Sequence, residues 1–214
     1  VAGIVEMLKP IFKGQQFNDE LRCKRLQATF HFLASLRLCA RSASLLVGGE
    51  PSAHTPLALA ATGQGGADQV GGLGMDAWLD VVEAEVRSPG GPRAAHELRS
   101  GALRVLLAVA ISGSPQSKAA FLSSSRALPL LLRLLRRGRP PLPALAMSLL
   151  WALAHNYQRA VPPLRRLRVV DAVKAWAEVS RDDPAGKEEE QSDERHGSYR
   201  METLAAEQLT LILA

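Results

Sequence analysis

The chain has 214 residues, 47% of them hydrophobic, with Leu and Ala dominant, aromatics at only 5% and a net charge of +5. Strong helix formers prevail and the residues that favour strands are sparse, so a sheet protein is not expected. No stretch approaches the roughly 18–20 consecutive apolar residues of a membrane span. Val1–Lys13 carries no secretory signal pattern, so a soluble intracellular chain is expected, as a piece of something larger.

In chain order, Val1–Phe12 reads as a helix bent or ended by Pro10. Asp19 can cap a helix that runs to Leu46 through Leu21, Leu26, Phe30, Leu33, Leu36 and Leu38, until Gly48, Gly49 and Pro51 stop it. The Gly/Ala/Ser/Thr-rich stretch 48–75 can bury little and is expected to be a flexible insertion. Met75–Val86 puts Trp78, Leu79, Val82 and Val86 on one face and Asp80, Glu83 and Glu85 on the other, until SPGGP breaks it.

The remainder is the most regular part. Helices are expected over Ala94–Ser112, from Pro115 with Ala119, Phe121 and Leu122 facing inward, and over Arg126–Arg137 with Gly138 as its stop. The apolar Ala144–Gln158 and then Leu164–Val179 follow. Residues 181–198 are highly charged and expected to be disordered. Tyr199–Leu213 forms a last helix with Met201, Leu204, Ala205, Leu209 and Ile212.

None of these helices can bury its apolar stripe alone. Burying a large apolar side chain contributes roughly 1.5–3 kcal/mol, so stacked neighbours offset much of the ordering cost. Short and long helices joined by tight turns predict an all-α, armadillo/HEAT-like helical solenoid with degenerate repeats, since no fixed period is visible. The expected organisation is N-terminal helices over 1–47, the insertion over 48–75, armadillo-like repeats over 76–180, a charged loop over 181–198 and a capping helix over 199–214.

Between Glu97 and Asp171 there is no acidic residue but twelve Arg or Lys, whereas Asp171–Arg200 holds nine acids against five bases. A basic face is therefore expected. Its partner-binding candidates are Arg133, Arg136, Arg137, Arg159, Arg165 and Arg166, together with His155 and Asn156. The simpler reading is a solvated helix face, neutralised by the acidic 182–194 segment. An acidic protein partner comes next. Nucleic acid comes last, because stacking aromatics are missing from the basic runs.

The segment Ser148–Ala160 resembles the Trp-Ala-Leu-x-Asn pattern of armadillo repeats, with Trp151, Leu153 and Tyr157 as core signature residues. The position four after Trp151 is His155, and Asn156 falls one later, so an asparagine ladder for extended peptides is out of register. A peptide-carrying adaptor remains the alternative to a scaffold. The simpler reading places Trp151 in the core and lets His155, Asn156 and Tyr157 end the helix.

No catalytic, cofactor-binding or metal site is expected. His31, His54, His96, His155 and His196 are scattered without ligand spacing, and Cys23 and Cys39 lie sixteen apart with no CxxC pair. They read as two buried thiols in a reducing compartment, with a lone disulfide as the alternative. GQGGADQVGGLG at 63–74 has no strand before it and reads as a linker. Ser123–Ser125 reads as a polar turn, with phosphorylation as the alternative, and the Glu83/Glu85 pair as solvent-facing.

Three segments carry a family resemblance: LLWALAHNYQRA at 149–160, SKAAFL at 117–122 and RRLRVVDAV at 165–173. With the closing Tyr199–Leu213 helix they resemble the C-terminal armadillo-like region of the rotatin family. The Gly-rich stretch and the 181–198 segment depart from that pattern. The resemblance implies a non-catalytic helical scaffold of centrioles and ciliary basal bodies, with centriolar or ciliary protein partners. It implies residence in the cytoplasm and cytoskeleton and no cofactor.

Overall fold

The computed structural model describes residues 3–4, 8, 20–36, 43, 46–47, 74–83, 91–112, 115–182 and 204–213. Among these the chain is helical almost throughout and contains no strand. No helix among them is long and apolar enough to cross a membrane. In order they are α1 (Glu20–Ser35), α2 (Met75–Glu83), α3 (Gly91–Ile111), α4 (Pro115–Ser123), α5 (Ala127–Arg137), α6 (Leu142–Ala154), α7 (Val161–Arg166), α8 (Val169–Asp182) and α9 (204–213).

Helix α3 sits at the centre, packed by α1, α2 and α6. Leu98, Ala102, Leu103, Val105, Leu106, Val109 and Ala110 are all buried, as a helix surrounded on several sides requires. Its Gly101 lets α1 come close: a Cβ there would stand 3.2 Å from Phe30. Phe30 in turn meets the Trp78 ring of α2 at 5.2 Å, and the Trp78 indole donates to the Leu46 carbonyl at 2.7 Å, which satisfies its polar edge inside the core.

Side-chain bonds set the directions. Gln27 reaches Ala94 O at 3.3 Å while Phe30 lies at Gly101, so α1 and α3 run the same way. His96 meets the Pro140 carbonyl at 2.8 Å before α6, and Lys118 just beyond α3 donates to His155 O at 2.7 Å at the end of α6. Thus α3 and α6 also run together. Trp151 Nε1 donates to Gln208 Oε1 at 3.0 Å and Arg165 Nε to Leu213 O at 2.9 Å, which lays α9 along α6. A second row carries α2 and α5, linked from Asp76–Ser124 to Glu83–Arg133, with α8 packed on α5.

Several expected boundaries shift. The helix from Asp19 does not continue to Leu46: α1 ends at Ser35, whose hydroxyl donates to Phe32 O at 2.7 Å as Leu36 N closes back on Leu33 O at 3.3 Å. Residues 37–42 lie outside the described set, and 43, 46 and 47 are again helical. The 144–158 helix runs instead from Leu142 to Ala154. The 164–179 helix is two, broken at Leu167 and Arg168, where Arg168 takes a left-handed φ of 52°. In α4 the inward residues are Phe121, Ser117 and Lys118, whereas Ala119 and Leu122 are half-buried. Arg181 and Asp182 form the last turn of α8 rather than part of a loop. The expectations for Val1–Phe12, 48–73, Cys39, Glu85, Val86, 183–198 and Tyr199–Thr203 fall wholly or mainly outside the described residues.

Candidate functional site

The basic face has to be built from α5. Its leucines at 128, 130, 131, 132 and 135 are buried, which turns Arg133, Arg136 and Arg137 outward. Gly138 ends the helix by donating to Leu134 O at 2.7 Å, and a Cβ there would run into that carbonyl, so the chain turns at once into α6. Arg136 and Arg137 sit at this turn, with Arg139 beside them; all three are exposed and none has an acidic partner among the described residues.

Arg133 is different. Its guanidinium bonds Glu83 Oε1 at 3.0 Å, and the other oxygen of Glu83 is held by Arg126, which also bonds Asp80 Oδ1 at 2.8 Å. Ser124 Oγ, one turn back, donates to Asp76 at 3.3 Å. The Asp80/Glu83 face of α2, expected to look into solvent, is therefore a clasp on α5. The hydrogen bond from Arg126, reinforced by the charges of Arg126 and Arg133, outweighs burial and holds the Glu83 carboxyl below the usual carboxylate range. Bonding to Glu83 and Asp80 holds the Arg126 guanidinium still more firmly protonated. Arg126 escaped the sequence reading because nothing in SSSRALPL says which distant helix it will face.

The other candidates gather at the far end of α6. His155 is the first residue past the helix, with an extended backbone, and Asn156 follows with a left-handed φ of 53°, a conformation asparagine tolerates better than most. The Asn156 amide pairs with His155 Nε2 at 3.1 Å, and the Trp151 ring lies 5.0 Å from the His155 ring. His155 and Asn156 thus follow the helix end and pair with each other. Asn156 does not project from a helix face as a peptide clamp would need. Leu153 is fully buried, while Trp151 and Tyr157 are half-buried against the core.

Lys118 is almost wholly buried beneath this end. Its ammonium donates to His155 O, near the negative pole of α6, and stands 6.0 Å over the Tyr157 ring. Burial pushes its pKa below the ordinary lysine value. An open cavity of about 590 Å³ lies alongside, lined in part by His155, Asn156, Tyr157, Val161 and Ile212. Arg159 and Arg166 are exposed, while Arg165 is engaged with Leu213 O.

The chain matches no family model, no curated protein and no solved structure. The site must therefore be read from its own geometry. That geometry divides the basic candidates in two. Because α5 and α6 are joined by a tight turn, Arg136 and Arg137 lie at the start of α6 and Arg159, Arg165 and Arg166 beyond its end. A helix of thirteen residues separates them by about 20 Å. Arg133, between them, is taken up by Glu83. Among the described residues no group of His, Cys, Asp and Glu could hold a metal ion.

Proposed function

We propose that this chain is a non-catalytic scaffold of the armadillo type whose helical stack docks protein partners. What supports the reading is a similar order of helices along the described residues. Short α4, medium α5 and long α6 are followed by short α7, then α8 and then α9. The third helix of one unit lies along the third helix of the next, and α5 touches α8. Such one-dimensional stacking, in which each unit leans on its neighbours, is how helical repeats bury faces that single helices cannot.

The resemblance of 149–160 and its flanking segments to the rotatin family supports placing this scaffold at centrioles and ciliary basal bodies. The exposed arginines at the α5–α6 turn support an acidic protein surface as the partner. No specific observation favours a peptide-carrying adaptor, since Asn156 lies beyond the helix and is paired with His155. The test is to follow the tagged full-length protein in ciliated cells. Concentration at basal bodies is expected; a diffuse cytosolic or nuclear signal would overturn the centriolar assignment.

A further inference from the structure

The packing gathers arginines that the sequence scatters over more than a hundred positions. Gln27 sets the first half of α1 beside the start of α3, and His96 ties the start of α3 to Pro140 in the α5–α6 turn. Arg25 of α1, Arg93 of α3 and Arg136, Arg137 and Arg139 of the turn consequently lie at the same end of the stacked helices, all exposed. Arg93 is 92% exposed and, among the described residues, pairs with Glu97 of its own helix, a contact that water screens heavily.

We propose that this end of the stack is a docking track for an extended acidic polypeptide segment. The inference rests on the scaffold reading and names the chemistry of its partner. Packed helices stand about 8–10 Å apart, and a polyproline-II segment advances about 3.1 Å per residue with three residues per turn. Acidic side chains at every third position therefore project to one side and fall at the spacing of successive helix ends. Guanidinium groups suit carboxylates because their paired N–H donors match both oxygens. The observations favour a polypeptide over a nucleic acid. No Phe, Tyr or Trp stands at 20–27, 91–97 or 136–141 to stack bases along the track.

The experiment is fluorescence anisotropy with the full chain and three labelled probes. These are a peptide of about twelve residues with Glu at every third position and Pro or Ala between, the same peptide with Gln for Glu, and a poly-U single strand of similar length. The Glu peptide should bind and weaken with added salt, and the Gln peptide should not bind. Arg136→Glu with Arg137→Glu should reduce binding about tenfold or more, whereas Arg159→Glu with Arg166→Glu, at the opposite end of α6, should change it less than about twofold. Far-ultraviolet circular dichroism confirms that both variants keep their helices. Equal losses from both double variants, tighter binding of poly-U, or no binding of the Glu peptide would each overturn the track. Basal-body localisation that persists alongside any of those results leaves the scaffold reading standing and removes only the track.

Discussion

Helix α5 is held on its two sides by different forces. Toward α6 it presents leucines that are nearly all inaccessible to water, and the contact is apolar packing. Toward α2 it presents Arg126 and Arg133, which close on Asp80 and Glu83 in a cluster that water still reaches, with side chains between 31% and 59% exposed. The difference teaches that the same helix can carry stability on one side and an adjustable latch on the other. Ion pairs this exposed are individually weak, whereas buried leucines are not.

The largest expected effect lies on the apolar side. Leu131→Ala, at a buried position of α5, should cost about 2–5 kcal/mol, read as a lowered denaturation midpoint with the slope unchanged. A loss below about 1 kcal/mol would mean that the α5–α6 contact is not the stronger one.

Next comes the end of α6. Lys118→Ala removes the donor to the His155 carbonyl and should cost about 1–3 kcal/mol, the usual penalty for leaving a buried polar group unpaired. Equilibrium unfolding of the variant checks it, and an unchanged midpoint would show that water replaces the ammonium freely.

Arg126→Ala tests the latch. With Arg126 and Asp80 41% and 44% exposed, the expected loss is only about 1 kcal/mol after screening. It should appear as faster hydrogen exchange across 75–83, with α5–α6 protection unchanged. The same latch has a pH signature. Because Glu83 titrates lower in the folded chain than in the unfolded one, its contribution is fully present above the unfolded carboxylate value. It is lost as pH falls below about 4.3 and through the folded value. Protection factors across 75–83, which divide out the intrinsic slowing of exchange in acid, should fall below about pH 4.3, and Glu83→Gln should flatten that response.

The smallest effect belongs to the arginines that have no acidic partner among the described residues. Arg136→Glu with Arg137→Glu should cost no more than about 1 kcal/mol, because charges reversed beside the negative pole of α5 remain screened by solvent. A larger change would reveal contacts that make this end of the stack structural.

Much of the helical content was legible from one-dimensional signals. The Leu/Ala periodicity located α3, α5 and α6 to within a few residues, because a stripe every three to four positions can be buried only by a helix. The breaks were harder. Ser35 closing on Phe32, and the left-handed turns at Asn156 and Arg168, are local choices that periodicity does not encode. The candidate site was legible only as composition: the absence of acids from 98 to 170 announced a basic surface, but not its parts.

What the sequence determined by itself was the all-helical class and an excess of arginine through its middle. Tertiary structure alone decided which arginines are held by carboxylates and which, among the described residues, are not. Arg133 and Arg136 lie three residues apart on one helix and are chemically identical. They differ because Glu83, fifty positions upstream, is brought within 3.0 Å of one and not the other. Charge acts over a few ångströms in water-screened surroundings, so an arginine's role depends on its neighbours in space, which packing of the apolar stripes selects.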